Sequence, residues 1–325
     1  MRKIKFRAVA WLGMVMASIL FVLGSPKNTV WAENDATTTE IPVSTGVPVQ
    51  TEQPQTTQQP EESQEPEELE VEEETEEVEQ EETVGLNQTA SGKWYYVLKN
   101  KKHATGYREI DGEGYYFSKT TTYAVTKKWK YVKWKGKKYK FYFGKNGKRK
   151  KDVSSLLKKN TQYMLEVNLN KNMVMVYAKD GKNGYIIPVK AMICSSGMPG
   201  HRTITGTYSI SRSGRWHVLR YSSIGQYATR ISGSYMFHSV VYSRYGNSYS
   251  LQPKEYNKLG KSASHGCIRL QVKDAKWIFD HCYQCRAHLY YGKKSEKTPI
   301  EKPKKVKIGK TKSGAYYDPT DPSVS

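Results

Sequence analysis

The stretch "NMVMVYAKDGKNGYIIPVKAMICSSG", Asn172–Gly197, decides the fold class. Two apolar runs rich in β-branched residues flank an Asp180-Gly181 turn, the pattern of a β-hairpin. Upstream, "YMLEVNL" at Tyr163–Leu169 adds a strand. Downstream, "TGTYSISR", "YMFHSVVY" and "HGCIRL" add three more short ones. One amphipathic helix is readable, starting near Asp274 as its cap, with Ala275, Ile278, Phe279 and Cys282 on a shared face. Many strands and one main helix make residues 160–292 a mostly β domain, and roughly 130 residues suffice for one core.

The preceding chain changes character twice. Arg2, Lys3, Lys5 and Arg7 precede an apolar run from Ala8 to Gly24, and Val30-Trp31-Ala32 follows. This is the layout of a signal peptide over 1–32, cleaved near Ala32, with an uncleaved anchor as the alternative. Residues 33–84 hold 18 acidic residues and no Lys or Arg. Such a segment buries too little apolar surface to offset the entropy of ordering, and reads as a disordered acidic linker.

Residues 85–325 carry 47 Lys and Arg against 13 Asp and Glu, a formal charge of +34. An exported chain with this charge is drawn to anionic wall polymers and lipid headgroups rather than nucleic acid. Within 85–157, "GKWYYVLKNKKHATGY", "GEGYYFSKT" and "KKWKYVKWKGKKYKFYFGKNGKRKKD" repeat aromatic clusters between glycine turns. They read as a small module of successive β-hairpins. Its aromatics suit sugar rings beside lysines that suit phosphates, or they form the core that a short module lacks elsewhere. Residues 293–325 read as a solvated basic, Pro-containing tail.

The segment "SASHGCIRL", Ser262–Leu270, concentrates the chemistry. Gly266 lets the backbone approach closely, so that peptide N–H groups near Cys267 can face a developing oxyanion. Arg269 favours the thiolate. The base for that thiol is either His265, fixed locally, or His238 in the apolar strand "YMFHSVVY".

"SHGCIRL" preceded by "FHS" resembles the L,D-transpeptidase (YkuD) family, and the likeness extends over Tyr163–Tyr291 through "ITGTYSI" and "DAKWIFDHC". The resemblance implies a YkuD-type β-sandwich with Cys267 as nucleophile and His238 as its base. It implies that Ser239 orients that base through its hydroxyl or carbonyl, and that His265 and Gly266 shape the pocket. The amides of Gly266 and Cys267 then form the oxyanion hole, and Ser264 and Arg269 hold the donor peptide. The implied partners are peptidoglycan stem peptides, donor and acceptor, joined in 3-3 cross-links through a cysteine thioester, with no metal or organic cofactor. Water as acceptor makes the same chemistry an L,D-carboxypeptidase. Between His238 and Ser264 lie 25 residues, longer than the family's usual spacing, and these read as a lid-like loop. Residues 85–157 resemble the choline-binding or cell-wall-binding repeats of Gram-positive surface proteins, which implies a location at such a wall or cell surface.

Two other readings compete. His265, Cys267, Cys282 and Cys285 form H-x-C with a later C-x-x-C, a donor set for zinc. In an exported chain the thiols can instead pair, Cys194 with Cys282 by preference and Cys282 with Cys285 as the local alternative. A wall-binding surface protein with a silent catalytic domain is the third class, which the intact "SHGC" and His238 oppose.

Overall fold

The structure, a computed structural model, describes residues 82–324. The expected signal peptide and almost all of the acidic linker lie outside the described residues. Among the described residues, no helix is long and apolar enough to cross a membrane.

Three two-stranded antiparallel hairpins come first: β1 (Gly85–Gln88) with β2 (Trp94–Val97), β3 (Gly106–Ile110) with β4 (Glu113–Phe117), and β5 (Lys128–Trp134) with β6 (Lys137–Phe143). Part of their aromatic set is interior and most of the rest is half-buried. Tyr115, Phe117, Tyr139, Phe141 and Phe143 are buried, and Tyr139 stacks on Phe141 with ring centroids 5.7 Å apart.

Nine strands then form one continuous sheet. In chain order they are β7 (Tyr163–Asn168), β8 (Met173–Lys179), β9 (Tyr185–Ser195), β10 (Gly206–Ser209), β11 (Ser211–Val218), β12 (Ile224–Ser232), β13 (Tyr235–Ser239), β14 (Ile268–Leu270) and β15 (Arg286–Tyr290). Their spatial order is β10-β15-β7-β8-β9-β14-β13-β12-β11. The two halves of the expected sandwich are therefore parts of a single curled sheet. β13 pairs with β14, and β7 with β15, in parallel; the other ladders are antiparallel.

β8 shows why "MVMVYA" is apolar at every position. Val174, Val176 and Ala178 enter the main core, while Met173, Met175 and Tyr177 enter a second core with Val132, Trp134, Tyr139, Phe141 and Phe143 of the third hairpin. A strand covered on both faces loses the alternation of a half-solvated one. The hairpin module is thus welded to the sheet through β8.

A short helix, α1 (Pro253–Asn257), precedes β14, and the main helix, α2 (Val272–His281), follows it. Ala275, Ile278 and Cys282 are buried as expected, with Phe279 packed at the edge of the core. Asp274 is not the cap. The helix begins two residues earlier, and Asp274 is buried within its first turn, 3.6 Å from Lys190. The caps come from the far end of the chain: the Asp318 carboxylate accepts the Val272 N–H at 2.8 Å, and Thr320 Oγ1 accepts that of Lys273 at 3.2 Å.

This corrects the expected solvated tail. Ile300, Asp318 and Asp321 are buried, Lys302 Nζ donates to the carbonyls of Lys171 and Gly260, and a small ladder joins β16 (Gly309–Lys310) to β17 (Tyr316–Tyr317). The tail is held because it supplies acceptors that the helix N-terminus otherwise lacks.

The expected lid is also corrected. Between His238 and Ser264, Val240, Tyr242, Leu251, Tyr256 and Leu259 all enter the main core. Tyr242 exchanges backbone hydrogen bonds with Ile224. These large apolar residues anchor most of the insertion to the core and leave the tip around residues 243–246 exposed, so the insertion as a whole is not a free lid.

Candidate active site

β13 and β14 run side by side, with His238 opposite Arg269 in a parallel register. One step back is Phe237 opposite Ile268, and one further, just before β14, the same register sets Met236 beside Cys267. Side chains two apart on a strand share a face, so His238, Cys267 and Arg269 project to one side of adjacent strands. All three line a cavity of about 440 Å³, together with Ser264 and His265.

Cys267 is partly exposed at this wall. Its thiol donates to the Ser234 carbonyl at 3.5 Å and accepts the Met236 N–H. Burial pushes the thiol above its ordinary range. The Met236 amide, Arg269 and Arg220 act the other way but do not outweigh it. The expected help from Arg269 is real in sign, yet the resting sulfur is protonated at neutral pH.

His238 is buried, and its Nδ1–H donates to the Ser239 carbonyl at 2.6 Å. That bond fixes the tautomer and leaves Nε2 as the free acceptor. Burial, reinforced by Arg269, pulls the imidazole down to about 3, so it is neutral near pH 7. The Ser239 hydroxyl does not touch the ring. It accepts the Gln226 N–H at 2.8 Å and donates to the Val240 carbonyl at 2.8 Å, tying β12 to β13.

The loop before β14 is clamped from within. Ser264 Oγ donates to the Cys267 carbonyl at 2.5 Å and accepts the Gly266 N–H at 3.1 Å. This corrects the expected oxyanion hole, because the Gly266 amide is already engaged; of the two amides expected there, only that of Cys267 remains. Ser264, completely buried, is a turn clamp rather than a peptide contact. Gly266 has φ +114°, and a Cβ there would lie 2.7 Å from the Tyr235 ring, so this position requires glycine. Thr203 Oγ1 donates to the Gly266 carbonyl at 2.7 Å and accepts the Gly197 N–H at 2.8 Å, binding the "RTITG" turn to the loop.

Arg269 faces the cavity, but its Nη1 is paired with the Glu255 carboxylate and also donates to the Ala263 carbonyl at 3.3 Å. His265 is exposed, its ring 4.8 Å from that of His201 and 5.0 Å from that of Tyr221. Tyr221 and Arg220 belong to the β11–β12 connection, which contributes Leu219, Arg220 and Ser223 to the cavity wall. Residues 219–223 hold Tyr221 and Ser222 at positive φ, a conformation that needs local support in non-glycine residues.

Residues 162–308 match the family model of the YkuD L,D-transpeptidase catalytic domain. They form a YkuD domain. The match runs past residue 292 into the segment that folds back over the sheet. The Bacillus subtilis (strain 168) protein YciB is 30% identical over 122 residues, covering 35% of this chain and 59% of that protein. The chain thus spans well under two thirds of this curated relative's length. An L,D-transpeptidase from Mycobacterium smegmatis aligns at 16% identity over 52% of this chain and 69% of that one, with a TM-score of 0.30. The choline binding domain of Spr1274 in Streptococcus pneumoniae aligns at 26% identity over 21% of this chain and 96% of that one, with a TM-score of 0.17.

The other cysteines of the YkuD domain are free thiols, so the preferred Cys194–Cys282 pairing is not formed. Cys194 lies in the β9 ladder opposite Leu270, while the Cys282 thiol meets that of Cys285. Among the described residues, no three His, Cys, Asp or Glu side chains gather as a metal site. The four donors of the zinc reading are therefore not brought together. Glu255, Thr203, Arg220 and Gly225 escaped the sequence reading. Each acts through a contact distant in the chain, and only Thr203, directly before the "ITG" segment, lay near a recognisable motif.

Proposed function

We propose that this chain is an exported peptidoglycan L,D-transpeptidase in which Cys267 is the nucleophile and His238 the base. The observation that carries the reading is the shared cavity: within a YkuD domain, a histidine with a free Nε2 and a cysteine project from adjacent parallel strands into one space. The substrate is a stem peptide whose third residue, a diamino acid, is joined through its L-centre to a terminal D-Ala.

Because thiol and imidazole both rest neutral, proton transfer accompanies attack. As Nε2 of His238 takes the thiol proton, sulfur bonds to the carbonyl carbon. Negative charge on the oxygen then faces the Cys267 amide and the Arg220 cation. The carbon–nitrogen bond breaks, the proton passes from His238 to the leaving D-Ala amine, and a thioester remains. An amine from a neighbouring stem attacks that thioester, a new amide forms, and the proton returns to sulfur. Arg220, exposed and free of any ion pair among the described residues, suits the D-Ala carboxylate.

The test is mass spectrometry of muropeptides incubated with the mature chain, with and without an added acceptor stem. Dimers joined through third residues, absent with Cys267→Ala, support the reading. Trimmed stems alone in the presence of acceptor assign carboxypeptidase activity instead. No change by the wild type overturns both and leaves a wall-binding protein. Retention at a Gram-positive-type wall through residues 85–157 belongs to the same proposal. Fractionation of cells expressing the chain with and without those residues tests it.

A further inference from the structure

The third hairpin meets the YkuD domain across a second cleft, of about 340 Å³, far in chemistry from the first. Its walls include Trp134, Lys135, Arg149, Lys171, Lys294 and Lys302. Arg149 is 8% exposed and lies over the Phe141 ring, 4.7 Å from its centroid. Its Nε and Nη1 are buried and have no hydrogen-bond acceptor. A buried charged donor without an acceptor is costly and rare, and it calls for an acceptor from outside the chain, a water or an anion.

Three acids also line the cleft, Glu109, Glu296 and Glu301, and none of them pairs with Arg149. Glu109 accepts from Trp134 Nε1 at 2.8 Å and from the Tyr107 hydroxyl at 3.1 Å. Glu296 accepts from the Tyr290 hydroxyl and from Asn168 Nδ2. Lys171 and Lys302 donate to backbone carbonyls, Lys171 to Glu296 and Lys302 to Lys171 and Gly260. Among the described residues, none of Arg149, Lys171 and Lys302 has a carboxylate within ion-pair distance. Burial holds both lysines below their ordinary range; Glu296 and Glu301 offset this in part at Lys171, while Lys171 adds repulsion at Lys302.

A second basin, of about 590 Å³, adjoins the first. It shares Lys171, Lys294 and Lys302 and adds Lys261, Asn170 and Ser262. Cations thus converge along one groove from four separate elements: the third hairpin and its following loop, the β7–β8 turn, Lys261 in the insertion before β14, and the 294–302 segment. A single small anion satisfies one basin, whereas an anion repeated along a chain satisfies both. Phosphate suits this arrangement better than carboxylate, because its several oxygens can meet a guanidinium and ammonium groups arriving from different directions.

We infer that this groove binds a phosphate-bearing polyanion, gripped by Arg149 in the first basin and by Lys171, Lys294 and Lys302 across both. The site is separate from Cys267, and the inference stands or falls independently of the proposed reaction. The test is titration of the mature full-length chain against fluorescently labelled long-chain polyphosphate, with inorganic phosphate and polyglutamate as further probes. Arg149→Gln removes the buried charge. Lys294→Glu changes an exposed residue, so its result does not depend on packing around Phe141. Lys182→Glu, on the exposed β8–β9 turn, is the charge-matched control.

The expected result is a loss of at least about tenfold in affinity for polyphosphate in both groove variants, with the control within about twofold. Inorganic phosphate binds weakly at best, and polyglutamate more weakly than polyphosphate at equal charge. Equal losses in Lys294→Glu and Lys182→Glu overturn the inference in favour of diffuse attraction. So does polyglutamate binding that matches polyphosphate, or no polyphosphate binding at all.

Discussion

A Cβ on Gly225 would stand 2.8 Å from Nδ1 of His238 and 3.1 Å from its Cγ. β12 therefore offers a bare backbone against which the imidazole lies, and the ring's position depends on a missing side chain one strand away. Gly225→Ala should push the ring off its bond to the Ser239 carbonyl and move Nε2 relative to the thiol. Overpacking costs about 1–3 kcal/mol of stability. A displacement near 1 Å costs activity far more, roughly 100-fold. D-Ala release from a stem peptide, measured beside a thermal melt, separates the two. A variant that melts earlier yet keeps its rate would show that the ring position is not set here.

The two partly exposed cysteines should differ in reactivity in an unexpected order. The Cys282 thiol donates to Cys285 and brings it down to about 7, whereas burial raises Cys267 above the ordinary thiol range. The thiolate is the reactive species, so near pH 7 iodoacetamide should modify Cys285 before Cys267, and the Cys267 rate should keep climbing beyond pH 9. Peptide mapping after timed quenching gives the order directly. Faster labelling of Cys267 at pH 7 would mean a resting thiolate and a pre-formed ion pair with His238.

Glu255 reaches Arg269 from α1, inside the insertion that separates His238 from Ser264. Glu255→Gln keeps the shape and leaves the almost fully buried guanidinium without its counter-charge. Complete burial of such a broken pair costs about 3–5 kcal/mol; with Glu255 partly exposed, about 1–2 kcal/mol is expected from chemical denaturation. The unscreened Arg269 charge should also depress His238 further, so activity should fall without any new acid limb near pH 6.

Much of this was legible in local patterns. The apolar runs around Asp180-Gly181, the aromatic hairpins and the "SHGC" segment each declare themselves within a dozen residues. What was hidden depends on pairs far apart in the chain. Ser264 looked like a peptide contact because its distance from Cys267 says nothing about where its hydroxyl turns. Asp274 looked like a cap because Asp318, the true acceptor, lies more than forty residues later. The insertion looked like a lid because its length was visible and the burial of Tyr242 and Tyr256 was not.

Asp318 offers a direct measure of the folded-back tail. Its carboxylate caps the first turn of α2, the helix that packs behind β12, β13 and β14. Asp318→Ala removes that acceptor and should cost about 1–2 kcal/mol, the upper range for losing a helix cap. Amide exchange at Val272 and Lys273 should rise by more than the global change accounts for. Unchanged exchange there would place the tail's contribution elsewhere.

Asp274 gives a pH-dependent counterpart. Burial raises its carboxyl to about 6, against the partial offset of Lys190 at 3.6 Å. A carboxyl whose folded value lies above its unfolded one holds its proton more tightly when folded. Its contribution to stability is complete below about pH 4 and is lost as pH rises through 6. Asp274→Asn stays neutral throughout, and Lys190 retains Asp152 at 3.6 Å. The variant should therefore match or trail the wild type at pH 4.5 and exceed it at pH 8, by about 1–3 kcal/mol. Denaturant midpoints at the two pH values decide the matter. A variant less stable at pH 8 than at pH 4.5, relative to wild type, would mean that the ion pair with Lys190 outweighs the burial of the charge.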